Sequence, residues 1–240
     1  MSQIPAWYGK LPSVGDFASR RWPEALVEPW DRWLADELGM LQHTLGEGWL
    51  QGYLDSPTWR FVLSATTLGS HQTRALAGVL MPSVDKVGRY FPLAIAAELD
   101  RMPGKAEEVE SLMAWLHALD DLAADALQDD WGIDELERQL ASCLPPGWPP
   151  SATSLHDALR PVLSGHARFM ALPMAESRQA LIGSLGHGLL NCVLSPASPE
   201  QALTWWWCEP DANPARRQMW LGRGLPRDAD FTRLWASATP

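Results

Sequence analysis

Residues 76–81 (Leu-Ala-Gly-Val-Leu-Met) and 93–97 (Leu-Ala-Ile-Ala-Ala) are almost continuously apolar, and this pattern constrains the fold more than any other in the chain. A strand with one wet face alternates apolar and polar residues, because successive side chains point to opposite faces. Strands without that alternation need cover on both faces, which calls for helices above and below a sheet. The run Trp205-Trp206-Trp207 makes the same demand. In a strand its outer two indoles point one way and the middle one the other. The fold expected is therefore α/β, a three-layer αβα sandwich in which helices flank a mixed sheet.

Local signals supply the remaining elements. Residues 6–11 read as a strand running into the turn Pro12-Ser13-Val14-Gly15-Asp16. Pro29 suits the first position of a helix whose stripe is Trp30, Trp33, Leu34, Leu38, Leu41 and Leu45, ending at Gly46. A short helix over 49–54 and a strand over 58–63 follow, and the polar, turn-rich connection 82–92 is expected to be exposed. Farther on, Ile133, Leu136 and Leu140 mark a helix, residues 168–172, 204–208 and 217–221 read as strands, and 176–190 and 228–235 as helices. Pro145-Pro146-Gly147-Trp148-Pro149-Pro150 breaks every regular structure, and joins either two domains or two halves of one sheet.

Charge is distributed unevenly. The 240 residues carry 19 basic and 29 acidic side chains, a net −10, which sets the chain's field against nucleic acid. Residues 98–137 hold thirteen of the acids and only two bases, Arg101 and Lys105, so one segment accounts for the imbalance. Its apolar positions Val109, Leu112, Met113, Leu116, Leu119, Ala123, Ala126 and Leu127 are spaced by threes and fours, which predicts an amphipathic helix. Glu107, Glu108 and Glu110 complement the dipole of its first turn. The acidic outer face is a solvated surface or a docking face for a basic partner, with Asp120, Asp121 and Asp125 as its candidate residues.

Tryptophan is abundant, at 14 residues against five phenylalanines and three tyrosines. Trp30, Trp33 and Trp205 to Trp207 read as core, Trp7 and Trp59 as core or recognition, and Trp148 as exposed. No stretch approaches the roughly 20 apolar residues of a spanning helix. The start of the chain lacks the basic and then apolar pattern of a secretory leader. No direct membrane insertion and a cytoplasmic address are expected.

Catalytic constellations do not emerge. His43, His71, His117, His156, His166 and His187 are scattered, and Cys143, Cys192 and Cys208 show no Cys-x-x-Cys spacing, so no metal or disulfide framework is expected. Gly183-Ser184-Leu185-Gly186-His187-Gly188 matches neither a dinucleotide fingerprint nor a nucleophile elbow, and Gly9-Lys10 lacks the preceding glycine of a phosphate loop. No cofactor and no enzymatic activity are expected. No Asp-Gly dipeptide occurs, which argues against the acidic metal-binding turns of metal-dependent serine/threonine phosphatases.

The residues that stand out lie in Trp7-Tyr8-Gly9-Lys10-Leu11-Pro12-Ser13-Val14-Gly15-Asp16-Phe17 and in Met81-Pro82-Ser83-Val84-Asp85-Lys86-Val87-Gly88-Arg89-Tyr90-Phe91-Pro92. Both combine rigid turns with aromatic and charged groups, which either build the core and its turns or form a recognition surface. Together with Pro29-Trp30-Asp31, Trp33, Ser56-Pro57 and Trp59-Arg60-Phe61, this ordered set resembles the TagF family, also called ImpM, associated with bacterial type VI secretion systems. The likeness is dense over about the first hundred residues. Later it is carried by Trp205-Trp206-Trp207 and by the Gly224-Leu225-Pro226 turn before Phe231.

The resemblance implies a cytoplasmic accessory protein that restrains secretion after translation by acting on a forkhead-associated (FHA) domain scaffold, in parallel with a threonine-phosphorylation pathway that activates the system. It also implies a single αβα domain over residues 1–240, with 145–150 an internal connection. Some relatives are fused to a metal-dependent phosphatase; this chain, without Asp-Gly turns, corresponds to the TagF part alone. Tyr8, Lys10, Asp16, Trp59, Arg60, Asp85, Arg89 and Tyr90 join Asp120, Asp121 and Asp125 as partner-binding candidates. The alternative is a small-molecule-binding protein or hydrolase whose loops around Asp16, Asp85 and Arg89 close over a ligand.

Overall fold

The structure is a computed structural model that describes residues 4–103, 106–148, 169–172, 202–209 and 217–236. Among them are eight strands: β1 (Ala6–Gly9), β2 (Ala18–Arg20), β3 (Trp59–Leu63), β4 (Ala75–Met81), β5 (Leu93–Leu99), β6 (Phe169–Leu172), β7 (Leu203–Cys208) and β8 (Gln218–Arg223). The helices are α1 (Glu24–Leu45), α2 (Trp49–Leu54), α3 (Ala106–Gln128), α4 (Ile133–Leu140) and α5 (Ala229–Ala236). The strands form one sheet in the order β2-β1-β5-β4-β3-β7-β8-β6.

Helices cover both faces, as the unbroken apolar strands require. Trp59, Phe61 and Leu63 of β3, Leu80 of β4, Ala94 and Ala96 of β5 and Trp206 of β7 pack with α1, α2 and α5. The intervening Val62, Ala77, Val79, Ile95, Ala97, Trp205 and Trp207 pack with α3 and α4. The three consecutive tryptophans thus divide between two cores, each at most 1% exposed. Ten of the chain's tryptophans are buried and the other four half-buried, so the indoles mainly build the two cores. Trp148 is not exposed as expected: it packs back on α3, donating its N–H to Ser111 Oγ at 3.0 Å and lying under the Arg101 guanidinium.

The sheet is more uniform than a mixed one. Every ladder is antiparallel, and the one parallel pairing among the described residues is the isolated bridge between Trp7 and Arg21. Connections of eleven residues join β3 to β4 and β4 to β5, too short for the crossover that parallel neighbours need. Two-sided burial, expected from parallel sheets, here arises from helices on both faces of an antiparallel one.

Helix α1 begins five residues before Pro29, so the proline lies inside it rather than at its first position. There it removes an amide that would have donated to the Ala25 carbonyl, a loss confined to the second turn. The short edge strand β2 was not foreseen; its Ala18-Ser19-Arg20 carries no apolar alternation. The segment 176–190, including the Gly183 to Gly188 pattern and His187, lies outside the described residues.

The ends of β1, β4 and β7 and the starts of β3 and β5 meet at one end of the sheet. There Gly9 has φ +140°, and a Cβ on it would sit 2.2 Å from the Pro92 carbonyl oxygen. Gly9→Ala is expected to cost about 1–3 kcal/mol, as overpacking does. A denaturation midpoint equal to that of the unaltered chain would show that β1 does not approach Pro92 this closely.

Candidate functional site

The first motif leaves β1 and folds against the β4–β5 connection. Lys10 and Asp85, each 3% exposed, form an ion pair with Nζ donating to Oδ2 at 2.5 Å. Arg89 Nε donates to the same oxygen at 2.7 Å, while Oδ1 accepts the backbone N–H groups of Val87 at 3.0 Å and Arg89 at 2.9 Å. Burial pushes the Asp85 carboxyl up, but hydrogen bonds from Lys10 and Arg89 outweigh it and hold the carboxyl well below the usual carboxylate range. Ser83 Oγ donates to the Lys10 carbonyl, and Arg89 Nη2 reaches the Gly15 carbonyl at 2.6 Å. The 82–92 connection is therefore only partly exposed: Ser83 and Asp85 are interior and residues 86–89 face outward.

Other motif residues are equally engaged. Tyr8 OH donates to Asp31 Oδ1 at 2.6 Å; burial and that carboxylate push the hydroxyl up, so Tyr8 stays neutral. The Trp7 indole donates to Glu137 Oε1 at 2.6 Å, and Arg21 grips the same carboxylate with both terminal nitrogens. Trp59 is buried, and Tyr90 packs edge-on against Trp49 and Tyr53. These contacts make the motif chiefly an internal clamp. What it leaves outward is Asp16, Phe17, Lys86, Val87 and Arg89, with Phe17 42% and Val87 67% exposed.

A second cluster lies two strands away, at the same end of the sheet. Arg60, on the α3 side of β3, is 1% exposed. Its Nη2 lies 2.7 Å from Asp120 Oδ2 and 2.5 Å from His117 Nδ1, and its Nη1 lies 3.5 Å from Glu209 Oε1. Burial pushes the Asp120 carboxyl up, against the opposing pull of Arg60 and Thr58. The cluster lines a pocket of about 210 Å³ formed by Pro57, Thr58, Arg60, His117, Asp120, Asp121, Ala124 and Glu209.

The structure thus separates the acidic candidates: Asp120 is an internal ion partner of Arg60, whereas Asp121 and Asp125 face outward. His117, three residues before Asp120 on α3, carried a helical-spacing signal that sequence reading passed over. Glu137 and Glu209 carried none, because their partners lie far away in the chain. Around Asp85 the donors are two cations and two amides, with no histidine among them. His43 lies exposed on the last turn of α1. No group of three or more His, Cys, Asp or Glu among the described residues is placed to hold a metal ion.

Residues 6–143 match the model of the TagF N-terminal domain, described as type VI secretion system-associated. The chain belongs to the TagF family. The match takes in both motifs, the clamp they form and the helices α3 and α4. The chain is also similar to PA0076 of Pseudomonas aeruginosa PAO1, whose crystal structure superposes with a TM-score of 0.67. The two are 30% identical, and the alignment covers 97% of this chain and 94% of that one. A comparison with curated proteins finds no match. Membership carries an association with type VI secretion, and no helix among the described residues is long and apolar enough to cross a membrane.

Proposed function

We propose that the chain is a non-catalytic cytoplasmic regulator that restrains a bacterial type VI secretion system by binding an FHA-domain scaffold of that system. The observation that carries this reading is the TagF-family match over residues 6–143. The geometry supports it in one respect: the buried charged groups of the motifs, Lys10 and Asp85, are spent on one another, as in a scaffold that presents a surface, with Asp85 held by four donors. The hydrolase alternative would need the Asp85 carboxylate available to a ligand, and it is buried.

Affinity capture with the full chain, from cells containing the apparatus, is expected to recover the FHA scaffold. Deleting the gene is expected to raise secretion under repressing conditions. Unchanged secretion, together with failure to capture the scaffold, would reject the regulatory reading. Turnover of a phosphatase, nucleotide-hydrolase or esterase substrate by the purified chain would restore the enzymatic one.

A further inference from the structure

The geometry points to a proton-driven switch at the Arg60 cluster: on protonation the His117 ring leaves Arg60 and turns across the pocket to Asp121 and Glu209. The starting state is fixed by the chemistry of the donors. Arg60 Nη2 lies 2.5 Å from His117 Nδ1, and a guanidinium keeps its charge and only donates. Nδ1 must therefore accept, which makes His117 neutral with its proton on Nε2. One guanidinium nitrogen thus serves two acceptors, the imidazole and Asp120 Oδ2 at 2.7 Å, and ties β3 to α3.

An imidazolium cannot keep this place. Both of its nitrogens donate, so the bond from Arg60 is lost, and two cations would meet beside a guanidinium that is only 1% exposed. Histidine is the side chain that ordinarily changes charge between about pH 5 and 8.

The second state has its partners in place. The charged and titratable groups that line the pocket with His117 are Arg60 from β3, Asp120 and Asp121 from α3, and Glu209 from the end of β7. Three carboxylates face one guanidinium while His117 is neutral, so the local field favours a proton on the ring. Asp120 stays with Arg60 and Thr58. Asp121 lies four residues after His117, one turn along the same face of α3, and Glu209 stands 3.5 Å from Arg60 Nη1 without a hydrogen bond to it. The pocket, of about 210 Å³, gives the ring room to turn. Because Asp121 is exposed, the change reaches the outer acidic face of α3, where it offsets a negative charge as pH falls.

The test follows the imidazole nitrogens and backbone amides of the isotope-labelled full chain by NMR from about pH 8 to about pH 5. At the upper end His117 is expected in the Nε2–H form with Nδ1 unprotonated. On acidification that Nδ1 signal should be lost, and the amides of Arg60, Asp121 and Glu209 should shift with the same midpoint. Asp121→Asn combined with Glu209→Gln should lower the midpoint by about one pH unit, because the imidazolium loses the carboxylates it turns to. Arg60 keeps Asp120 in that variant. His117→Gln offers Arg60 an acceptor but takes up no proton, so its amides are expected to hold their upper-pH positions.

An Nδ1–H form at the upper end would overturn the proposal, as would ring protonation without any response from these amides. A midpoint unchanged by the paired replacement would show that the ring does not turn to Asp121 and Glu209. The same amide shifts in His117→Gln would assign the proton to a carboxylate of the cluster, and the switch would again fail.

Discussion

Replacing Trp206 by alanine is expected to cost about 3–5 kcal/mol of unfolding free energy, the range for deleting a buried Trp or Phe side chain. Trp206 is 1% exposed and sits in register between Phe61 on β3 and Trp220 on β8. Its ring centroid lies 5.3 Å from Phe61 and 5.7 Å from Trp33, so it joins the central strands to α1. Its neighbours belong to a two-layer contact that cannot collapse without moving strands or helix, so most of the cavity stays open. At about 2–4 °C per kcal/mol for a chain of this size, the thermal midpoint should fall by about 10 °C.

The indole N–H of Trp206 has no acceptor among the described residues, so the loss is one of packing and not of hydrogen bonding. Trp206→Phe should therefore recover most of the stability, at a cost below about 2 kcal/mol. Half-buried Trp148, held by one hydrogen bond to Ser111, gives the contrast: Trp148→Ala should cost about 1 kcal/mol. Equal midpoints for Trp206→Ala and Trp148→Ala would contradict the two-core arrangement.

The architecture could be read from the strands because burial on both faces leaves its mark on every residue. The unbroken run in β4 and the tryptophans of β7 allowed no other layering, and the described elements other than β2 and the start of α1 follow those expected within a few residues. Strand direction was less legible. An apolar run looks the same whether its neighbour is parallel or antiparallel, and loop length was the cue that separates them. The start of α1 was misplaced for a similar reason: Pro29 has the φ of a first helical residue, but it is also tolerated where only one bond is lost.

The candidate site was legible as composition and not as geometry. Lys10, Asp85 and Arg89 could be picked out from turn-rich motifs, but nothing in the order of residues says that a lysine will be buried against an aspartate 75 positions away. The same holds for Arg60, whose place in a strand of buried residues is unusual by itself, while Asp120 and Glu209 come from α3 and the end of β7. Ion pairs between distant segments leave no periodicity, so they become visible only after the fold has set the register.

Asp85→Ala is the change expected to strike the motif hardest, and its effect should be asymmetric with that of Lys10. Removing the carboxylate leaves the Lys10 ammonium interior with no counter-charge and frees the amides of Val87 and Arg89, three groups orphaned at once. Uncompensated buried charge is among the most destabilising single changes, and a fall in thermal midpoint on the order of 10 °C is expected. Lys10→Met removes the buried charge together with its demand, and Asp85 keeps Arg89 and both amides, so the loss should be much smaller. The double replacement should then be less damaging than the sum of the two single ones.

Acidity provides a second reading of the same pair. The Asp85 carboxyl is held below its ordinary value in the folded chain, so its stabilisation is whole above the unfolded value near 4 and fades as pH falls toward the depressed folded value. The midpoint gap between the unaltered chain and Asp85→Ala should accordingly be constant from about pH 7 to pH 5 and narrow below about pH 4. A gap that widens on acidification, or a Lys10→Met variant as unstable as Asp85→Ala, would mean that the carboxylate does not hold the two loops together.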